Sequence, residues 1–251
     1  MQYDLKDKVA LIVGAASDAG RVISRRLGAL GAKLALVSDD GEGLAALAAE
    51  LGQTGPRVLA ITASPRHAAT AATSLEHIIG HFGQAPDILV NALPSPSGIG
   101  LEGLTAEGFA ATVAGTFGAA FGFLREVLPA MRRQGRGRVI NLSSVGYLGL
   151  PGGADIAAAQ SGIFGLTRSL ALEYAKDRIT VNTLVLGDRA APDQSEEDVA
   201  RRTAAIPVKR LGVDDDIAHA VGFFASDASK YVTGQTFFVC GGKSAHFSMS
   251  V

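Results

Sequence analysis

Cysteine, tryptophan and net charge are almost missing from this sequence. Its 251 residues include one cysteine, Cys240, and no tryptophan. A single cysteine excludes a disulfide within the chain, so we expect a buried thiol in a protein of the cytoplasm. The 23 basic and 24 acidic residues nearly cancel, leaving a formal net charge of -1. Because no basic surplus is available to attract polyanions, we expect neither nucleic acid nor a membrane surface as a partner.

Segments typical of secretion, membrane insertion or metal binding are also missing. The N-terminus enters an apolar strand pattern directly, without the cationic start and apolar core of a signal peptide. The uncharged stretch 109–124 is short for a membrane span of roughly 20 residues, and its many small residues favour a buried helix in close contact with another. The 5 histidines are scattered without the spacing of metal ligands, so we predict no metal site.

Short apolar segments alternate along the chain with segments of helical periodicity. Strands this apolar are buried on both faces, which is typical of a parallel sheet. We therefore predict one α/β domain over 1–251, a Rossmann-type doubly wound sheet of about seven parallel strands with helices on both faces. The predicted strands are 8–14, 33–38, 57–62, 87–92, 137–144, 179–186 and 236–242, and the clearest predicted helices are 105–133, 155–176 and 214–226. The polar connection 188–205 follows the sixth strand, so it is either a lid over a ligand site or a solvated loop.

The first turn, "GAASDAG" at 14–20, has glycines where a backbone would approach a pyrophosphate. This signal is weak alone, but "GRVINLSS" at 137–144, "SGIFGLTRSLALEYA" at 161–175 and "VNTL" at 181–184 accompany it. With the segment 210–242, these motifs make the chain resemble the short-chain dehydrogenase/reductase family over essentially its full length. The resemblance implies the fold predicted above and an origin among NAD(P)-dependent oxidoreductases.

The resemblance also implies a catalytic tetrad of asparagine, serine, tyrosine and lysine. In the family, the tyrosine exchanges a proton with the substrate oxygen and the lysine lowers the tyrosine pKa and binds the nicotinamide ribose. The serine polarises the carbonyl and the asparagine holds a water. This chain has Thr116, Ile156 and Gln160 at the asparagine, tyrosine and lysine positions, and only the serine remains, as Ser144 or Ser143. Isoleucine offers no ionisable group and glutamine carries no charge.

Two other tyrosines lie in this part of the chain. Tyr147 follows Ser144 in the loop and is an alternative catalytic acid, although no lysine lies one helical turn away. Packing is the other interpretation of Tyr147. Tyr174, near the end of the same helix, is interpreted as structural.

The cofactor site implied by the resemblance is altered at several positions. Asp18 stands where the motif has its second glycine, and its carboxylate would repel a pyrophosphate. Ser64 replaces the aspartate that contacts adenine, whereas Asp39, beside Ser38, could still bind the ribose. We therefore predict that this chain binds no cofactor and that NAD belongs to a partner subunit. The positions assigned to this degenerate site are Gly14, Asp18, Gly20, Asp39, Ser64 and Asn91.

The scaffold residues are kept while the chemistry is lost, which indicates a role beside an active relative. In the family, the helices that correspond to 109–133 and 155–176 form a bundle between subunits, and the C-terminal strand and tail form a second interface. We predict a non-catalytic subunit that pairs with a homologous active NAD-dependent dehydrogenase, in a heterotetramer, with the tail 243–251 reaching the neighbour. One heteromer of this kind acts on a CoA thioester of an aromatic hydroxy acid.

Three alternatives stay open. The apolar helices could serve ordinary core packing instead of an interface. The chain could be an active NAD(P)-dependent oxidoreductase with altered residues, or a sensor or scaffold protein without catalysis.

Overall fold

Seven parallel strands form one sheet in the order β3-β2-β1-β4-β5-β6-β7. The structure, a computed structural model, describes residues 3–53, 55, 57–94, 98–190 and 194–245. The order runs outward in both directions from β1 and β4, so the connections diverge between these two strands and leave a crevice beyond their carboxyl ends. The strands are β1 Val9–Val13, β2 Lys33–Ser38, β3 Val58–Thr62, β4 Ile88–Asn91, β5 Gly137–Ser144, β6 Ile179–Leu186 and β7 Thr236–Val239.

Both faces of the sheet are covered by helices, as the apolar strands predict. In β1, Ala10 and Ile12 face one core and Val9, Leu11 and Val13 face the other, because side chains alternate along a strand. Helices α1, α2 and α8 contribute to the first core, and α3, α5 and α6 contribute to the second. The eight α-helices of the described residues are α1 Asp18–Ala29, α2 Gly41–Gln53, α3 Thr70–Phe82, α4 Ala106–Val113, α5 Ala119–Gln134, α6 Ala154–Tyr174, α7 Glu196–Ala204 and α8 Asp214–Ala225. The predicted fold class is confirmed.

The helix predicted over 105–133 differs in one respect. A π-helical turn, Ala114–Gly118, separates α4 from α5 and makes the segment locally wider. The helical run Ala106–Gln134 is 29 residues long and, by length and composition alone, would suffice to cross a membrane. One such helix is weak evidence of a membrane span, because the core helix of a soluble protein passes the same test. The prediction that the uncharged stretch 109–124 is a buried helix is confirmed for the helix but is wrong for its burial, since only 28% of the most apolar window is buried within the chain.

The connection after β6 holds a helix that the sequence pattern did not reveal. The sequence predicts a lid or a solvated loop over 188–205, but α7 occupies Glu196–Ala204. Ser195 caps it by accepting a hydrogen bond from the Asp198 backbone N–H at 3.2 Å, and acidic residues fill its first turn. The charged composition that resembled a loop is therefore that of a surface helix with a well-formed start.

Candidate functional site

The glycine turn between β1 and α1 is packed too tightly for side chains. Gly14 has φ of +80°, and a Cβ there would lie 2.5 Å from the Ala92 carbonyl oxygen. A Cβ on Gly20 would lie 2.2 Å from the Gly14 carbonyl oxygen. Ser17 holds the turn, because its Oγ accepts a hydrogen bond from Gly20 N at 3.1 Å and lies 2.7 Å from the Gly14 oxygen. Both predicted glycines thus remain where the fold requires them.

Asp18 begins α1 and is exposed. A helix N-terminus attracts anions through its free N–H groups and its dipole. Here the carboxylate of Asp18 already supplies that negative charge, so a pyrophosphate approaching the same helix end would meet repulsion. Nothing in the packing requires an aspartate at this position.

A cavity of about 320 Å³, which we call the central cavity, lies beyond the carboxyl ends of β4, β5 and β6. Asp18 lines one side of it, and Arg189, which follows β6, lines another. Most of the remaining wall is apolar. The principal apolar contributors are Leu93, Phe117, Leu142, Ile163 and Leu186.

Three of the four tetrad positions line this cavity and one does not. Thr116, Ser144 and Gln160 are part of its wall, whereas the wall formed by the described residues does not include Ile156, which is 4% exposed. Ser144 Oγ donates a hydrogen bond to Gln160 Oε1 over 2.8 Å, which identifies Ser144 rather than Ser143 as the serine that faces the lysine position.

Thr116 lies within the π-helical turn and is bonded to its own helix. Its Oγ1 donates to the Thr112 carbonyl oxygen at 2.8 Å, so the hydroxyl satisfies the widened backbone. Thr116 therefore stands at the edge of the cavity with its proton already engaged. No pattern in the sequence indicates this local geometry.

Tyr147 is placed for packing. It lies in the 3₁₀ turn Val145–Leu148, with its ring centroid 4.4 Å from that of Phe164 and 6.3 Å from that of Phe238. Burial, helped by Cys240, raises the pKa of the Tyr147 hydroxyl, whereas a proton-exchanging tyrosine needs a lower pKa. The described wall of the central cavity does not contain it. Of the two interpretations, the geometry favours packing.

Tyr174 is also a packing residue in the structure. Its ring is buried, and the guanidinium of Arg132 lies 4.2 Å from the ring centroid. This cation–π contact joins α5 to the end of α6.

A second cavity of about 180 Å³ adjoins the glycine turn where the family resemblance implies the adenosine end of a cofactor. Asp39 lines this cavity, as the sequence predicts. Arg66 lines it too, although the sequence pattern assigns Arg66 no role. The guanidinium of Arg66 lies over the backbone at Gly115, so close that a Cβ there would be 3.1 Å from its carbon. The wall formed by described residues does not include Ser64, whose carbonyl oxygen accepts a hydrogen bond from Thr70 Oγ1 at 2.7 Å.

These residues do not fit a nicotinamide dinucleotide. The pyrophosphate position carries the carboxylate of Asp18, and the described wall of the second cavity does not include Ser64. The lysine position holds neutral Gln160. Asp39, which lines the second cavity together with Asp40, still suits a ribose.

Asn91 belongs to a buried polar chain across the centre of the sheet. Its Nδ2 donates to Asn141 Oδ1 at 2.8 Å, and Asn141 Nδ2 donates to Thr167 Oγ1 at 3.0 Å. Thr167 Oγ1 in turn lies 2.8 Å from Thr183 Oγ1. Because each of these groups is buried, the chain of hydrogen bonds holds β4, β5 and β6 to α6. Asn91 therefore supports the scaffold as well as lining the cavity.

Arg189 is the residue that sequence reasoning missed. Its Nη2 donates to Asp214 Oδ1 at 2.7 Å, while its Nε is buried without a partner among the described residues. Its one sequence signal is its place, three residues after the end of β6.

The described part of the chain contains no group of three or more His, Cys, Asp or Glu side chains that could hold a metal ion.

The two helical segments expected at an interface carry exposed small and apolar residues. On α4 and α5, Phe109 and Phe121 are 41% and 47% exposed. On α6, Ala158 is exposed and Leu172 is 84% exposed. Gly162 packs against the ring of Phe117, which brings the two segments side by side. Of the tail, 246–251 lies outside the described residues.

Comparison with known proteins gives a consistent picture. The model of the family described as enoyl-(acyl carrier protein) reductase matches residues 14–244. The chain is 43% identical over 251 residues to the (2S)-[(R)-hydroxy(phenyl)methyl]succinyl-CoA dehydrogenase subunit BbsC of Thauera aromatica, covering 100% of both chains. It is 32% identical over 243 residues to subunit BbsD of the same organism, covering 96% of this chain and 98% of BbsD.

Solved structures agree with these relatives. Levodione reductase superposes with a TM-score of 0.90 at 32% identity, covering 96% of this chain and 98% of the reductase. A protein from Sinorhizobium meliloti 1021 that is described as a putative short-chain alcohol dehydrogenase gives a TM-score of 0.91 at 29% identity. The superposition covers 98% of this chain and 99% of that protein.

Proposed function

Because the chain is a member of the short-chain dehydrogenase/reductase family, we propose that it is the non-catalytic subunit of a heteromeric NAD-dependent dehydrogenase. A homologous active subunit binds NAD and carries out the hydride transfer. The observation that carries the proposal is the neutral Ser144–Gln160 hydrogen bond, which joins the serine position of the family's tetrad to its lysine position.

Oxidation of an alcohol requires a base that takes the hydroxyl proton as the hydride leaves. Gln160 has no ionisable group, and the Ser144 hydroxyl donates a hydrogen bond to the Gln160 side-chain oxygen. The ionisable side chains in the described cavity wall are Asp18 and Arg189. A guanidinium does not serve as a base, and Asp18 begins α1, on the side of the family's phosphate site. This wall therefore lacks a group suited to exchange a proton with an alcohol near neutral pH.

The cofactor residues support the same proposal. Asp18 opposes a pyrophosphate at the start of α1, and Ser64 does not reach the neighbouring cavity. A chain that lacks both contacts gains little affinity for NAD from Asp39 and Asp40, which line the cavity at the ribose position. The partner subunit then supplies the NAD of the complex.

The relatives support a partner from the same family. BbsC and BbsD are both subunits of a dehydrogenase with one name, and this chain resembles the first more closely, at 43% against 32% identity. We therefore propose a complex with a chain of the BbsD kind, as a heterotetramer with two copies of each. The name of these relatives makes a CoA thioester of an aromatic hydroxy acid the favoured substrate class, and the cytoplasm is the proposed compartment.

The exposed helix face supports assembly of this kind. Phe109, Phe121 and Leu172 leave large apolar surface in contact with water, and the small residues of α6 allow a second helix to approach closely. Subunits that associate permanently bury such surfaces. Ordinary core packing does not account for side chains that point out of the core.

Co-purification of the full chain from its natural source tests the proposal. We expect native mass spectrometry to find equal numbers of this chain and an intact family member, with NAD bound per partner chain and dehydrogenase activity in the complex. A partner from outside the family would favour the sensor or scaffold alternative. Turnover by the isolated chain would contradict the proposal and favour the altered-enzyme alternative.

A further inference from the structure

The connection that carries α7, residues 188–210, has little apolar contact with the rest of the chain. Among its described residues Ile206 is the single buried one, and α7 itself contains none. A cavity of about 270 Å³ lies between this connection and β7, with Asp188, Val208 and Phe238 in its wall. Segments with few buried apolar contacts open locally at a low cost in free energy. Polar contacts therefore decide where α7 lies.

Asp188 makes two of these polar contacts at once. Its Oδ2 accepts a hydrogen bond from the Lys243 ammonium, and its Oδ1 lies 3.5 Å from Arg202 Nη2. The three side chains are only 20% to 27% exposed, so solvent ions screen their charges incompletely. Arg202 belongs to α7, and Lys243 is the first residue of the tail. One carboxylate thus joins α7 to the start of the tail.

The far end of the same connection rests on the turn that precedes the tail. Val208 N donates a hydrogen bond to the Gly241 carbonyl oxygen at 3.2 Å. A Cβ on Gly241 would lie 2.6 Å from Val208 Cγ2 and 2.7 Å from Ile206 Cγ2, and Gly241 has φ of +61°. Both ends of the α7 connection therefore contact the turn 240–243, and a displacement of this turn disturbs both.

The connection also contributes to the wall of the central cavity. Arg189 follows Asp188 directly and lines that cavity. The Arg189 carbonyl oxygen accepts a hydrogen bond from Arg202 Nη2 at 3.5 Å. A shift of α7 therefore changes the cavity wall at Arg189.

We propose that Asp188 couples the position of α7 to the position of the tail. Binding that draws the tail away takes Lys243 from Asp188, leaves the carboxylate free to rotate away from Arg202, and loosens α7. Coupling between two sites is reciprocal, so an ordered α7 also holds the start of the tail in place. This goes beyond the proposed function, because the coupling belongs to the isolated chain and exists with or without a partner subunit.

Hydrogen exchange of the isolated full chain, followed by mass spectrometry, tests the coupling. Lys243→Gln removes the cation that fixes Asp188 and leaves α7 itself unaltered. We expect amide exchange in α7 to become about threefold faster, in line with the modest contribution of a partly exposed ion pair, while exchange in α3 does not change. Arg202→Gln should accelerate exchange in 240–245 by a similar factor. Unchanged or slower exchange of α7 in Lys243→Gln would overturn the proposal.

Further variants assign the effect to Asp188. Lys243→Arg keeps the cation and should leave α7 exchange near the wild-type rate. Lys230→Gln is the matched control, because Lys230 is exposed and forms no ion pair with the described residues. Equal acceleration of α7 in Lys230→Gln would indicate a general charge effect and overturn the assignment. Asp188→Asn should accelerate exchange in both regions; if it also accelerates exchange in α3, the fold is disturbed and the Lys243 variants decide.

Discussion

Ser144 and Gln160 form a direct hydrogen bond of 2.8 Å between the end of β5 and the second turn of α6. Both side chains also line the central cavity. A lysine at 160 would place a positive charge beside a tyrosine hydroxyl at 156. Glutamine instead accepts a hydrogen bond from the serine hydroxyl, so the Ser144–Gln160 pair is neutral. The site keeps its hydrogen-bonded architecture and lacks the charge that proton transfer needs.

We expect the isolated chain to bind neither NAD nor NADP with useful affinity. Asp18 opposes the pyrophosphate, and Ser64 does not line the adjoining cavity. Titration calorimetry with each nucleotide checks this, with an intact family member as positive control. Asp18→Gly alone should not restore binding, because the adenine contact is still absent. A micromolar dissociation constant for the wild-type chain would contradict the prediction.

Restoring the two missing catalytic side chains should not create a dehydrogenase. Ile156→Tyr with Gln160→Lys puts a larger side chain at a site that is 4% exposed, which costs about 1–3 kcal/mol of stability. The cofactor contacts remain altered, so we expect no NADH formation above background in an absorbance assay. Tyr147→Phe should leave this background unchanged; wild-type turnover that disappears in Tyr147→Phe would instead make Tyr147 the catalytic acid.

A charge on the exposed face of α6 should separate the complex. Ala158→Arg would place an unpaired guanidinium between closely packed helices, where desolvation is costly. Size-exclusion chromatography with light scattering should then show separate subunits, while the thermal stability of the isolated chain changes little. The matched control is Ala49→Arg, an exposed alanine on α2 on the opposite side of the sheet, which should assemble normally. Normal assembly of Ala158→Arg would move the interface away from α6.

The start of α8 should give the chain a stability component that is lost in acid. Arg210 donates two hydrogen bonds to Asp216, at 2.7 and 2.9 Å, and Val213 N donates a third at 2.8 Å. These bonds, those from Arg210 first, lower the pKa of Asp216 from 3.8 to about 2. A lowered folded-state pKa stabilises the fold above the unfolded pKa, and this stabilisation disappears as the pH falls from 3.8 to about 2.

Asp216→Asn should therefore lower the free energy of unfolding by about 1 kcal/mol at pH 7, a value reduced for the partial exposure of the ion pair. The difference from wild type should shrink towards pH 2. Chemical denaturation at several pH values measures it. Asp215→Asn, one residue earlier and exposed, is the control and should cost less. An equal loss at pH 7 and in acid would show that the carboxylate charge is not responsible.

The sequence by itself determined the strands and the absence of a Tyr–Lys pair. The predicted bounds of β2, β5 and β6 match the structure residue for residue, because a strand buried on both faces is a continuous apolar run that local composition reveals. The identities of Ile156 and Gln160 are likewise local facts. No fold could restore an ionisable group that the side chains do not contain.

Only the tertiary structure decided which side chains meet. The choice of Ser144 over Ser143, the π-helical turn at Ala114–Gly118 and the presence of Arg189 in the cavity depend on contacts between distant segments. Arg189 and Asp18 are far apart along the chain, and they share one cavity because the sheet order brings the carboxyl ends of β1, β4, β5 and β6 to one edge. Sequence periodicity reports whether a side chain faces a core, but the identity of its neighbours follows from strand order and helix packing, which a local pattern does not encode.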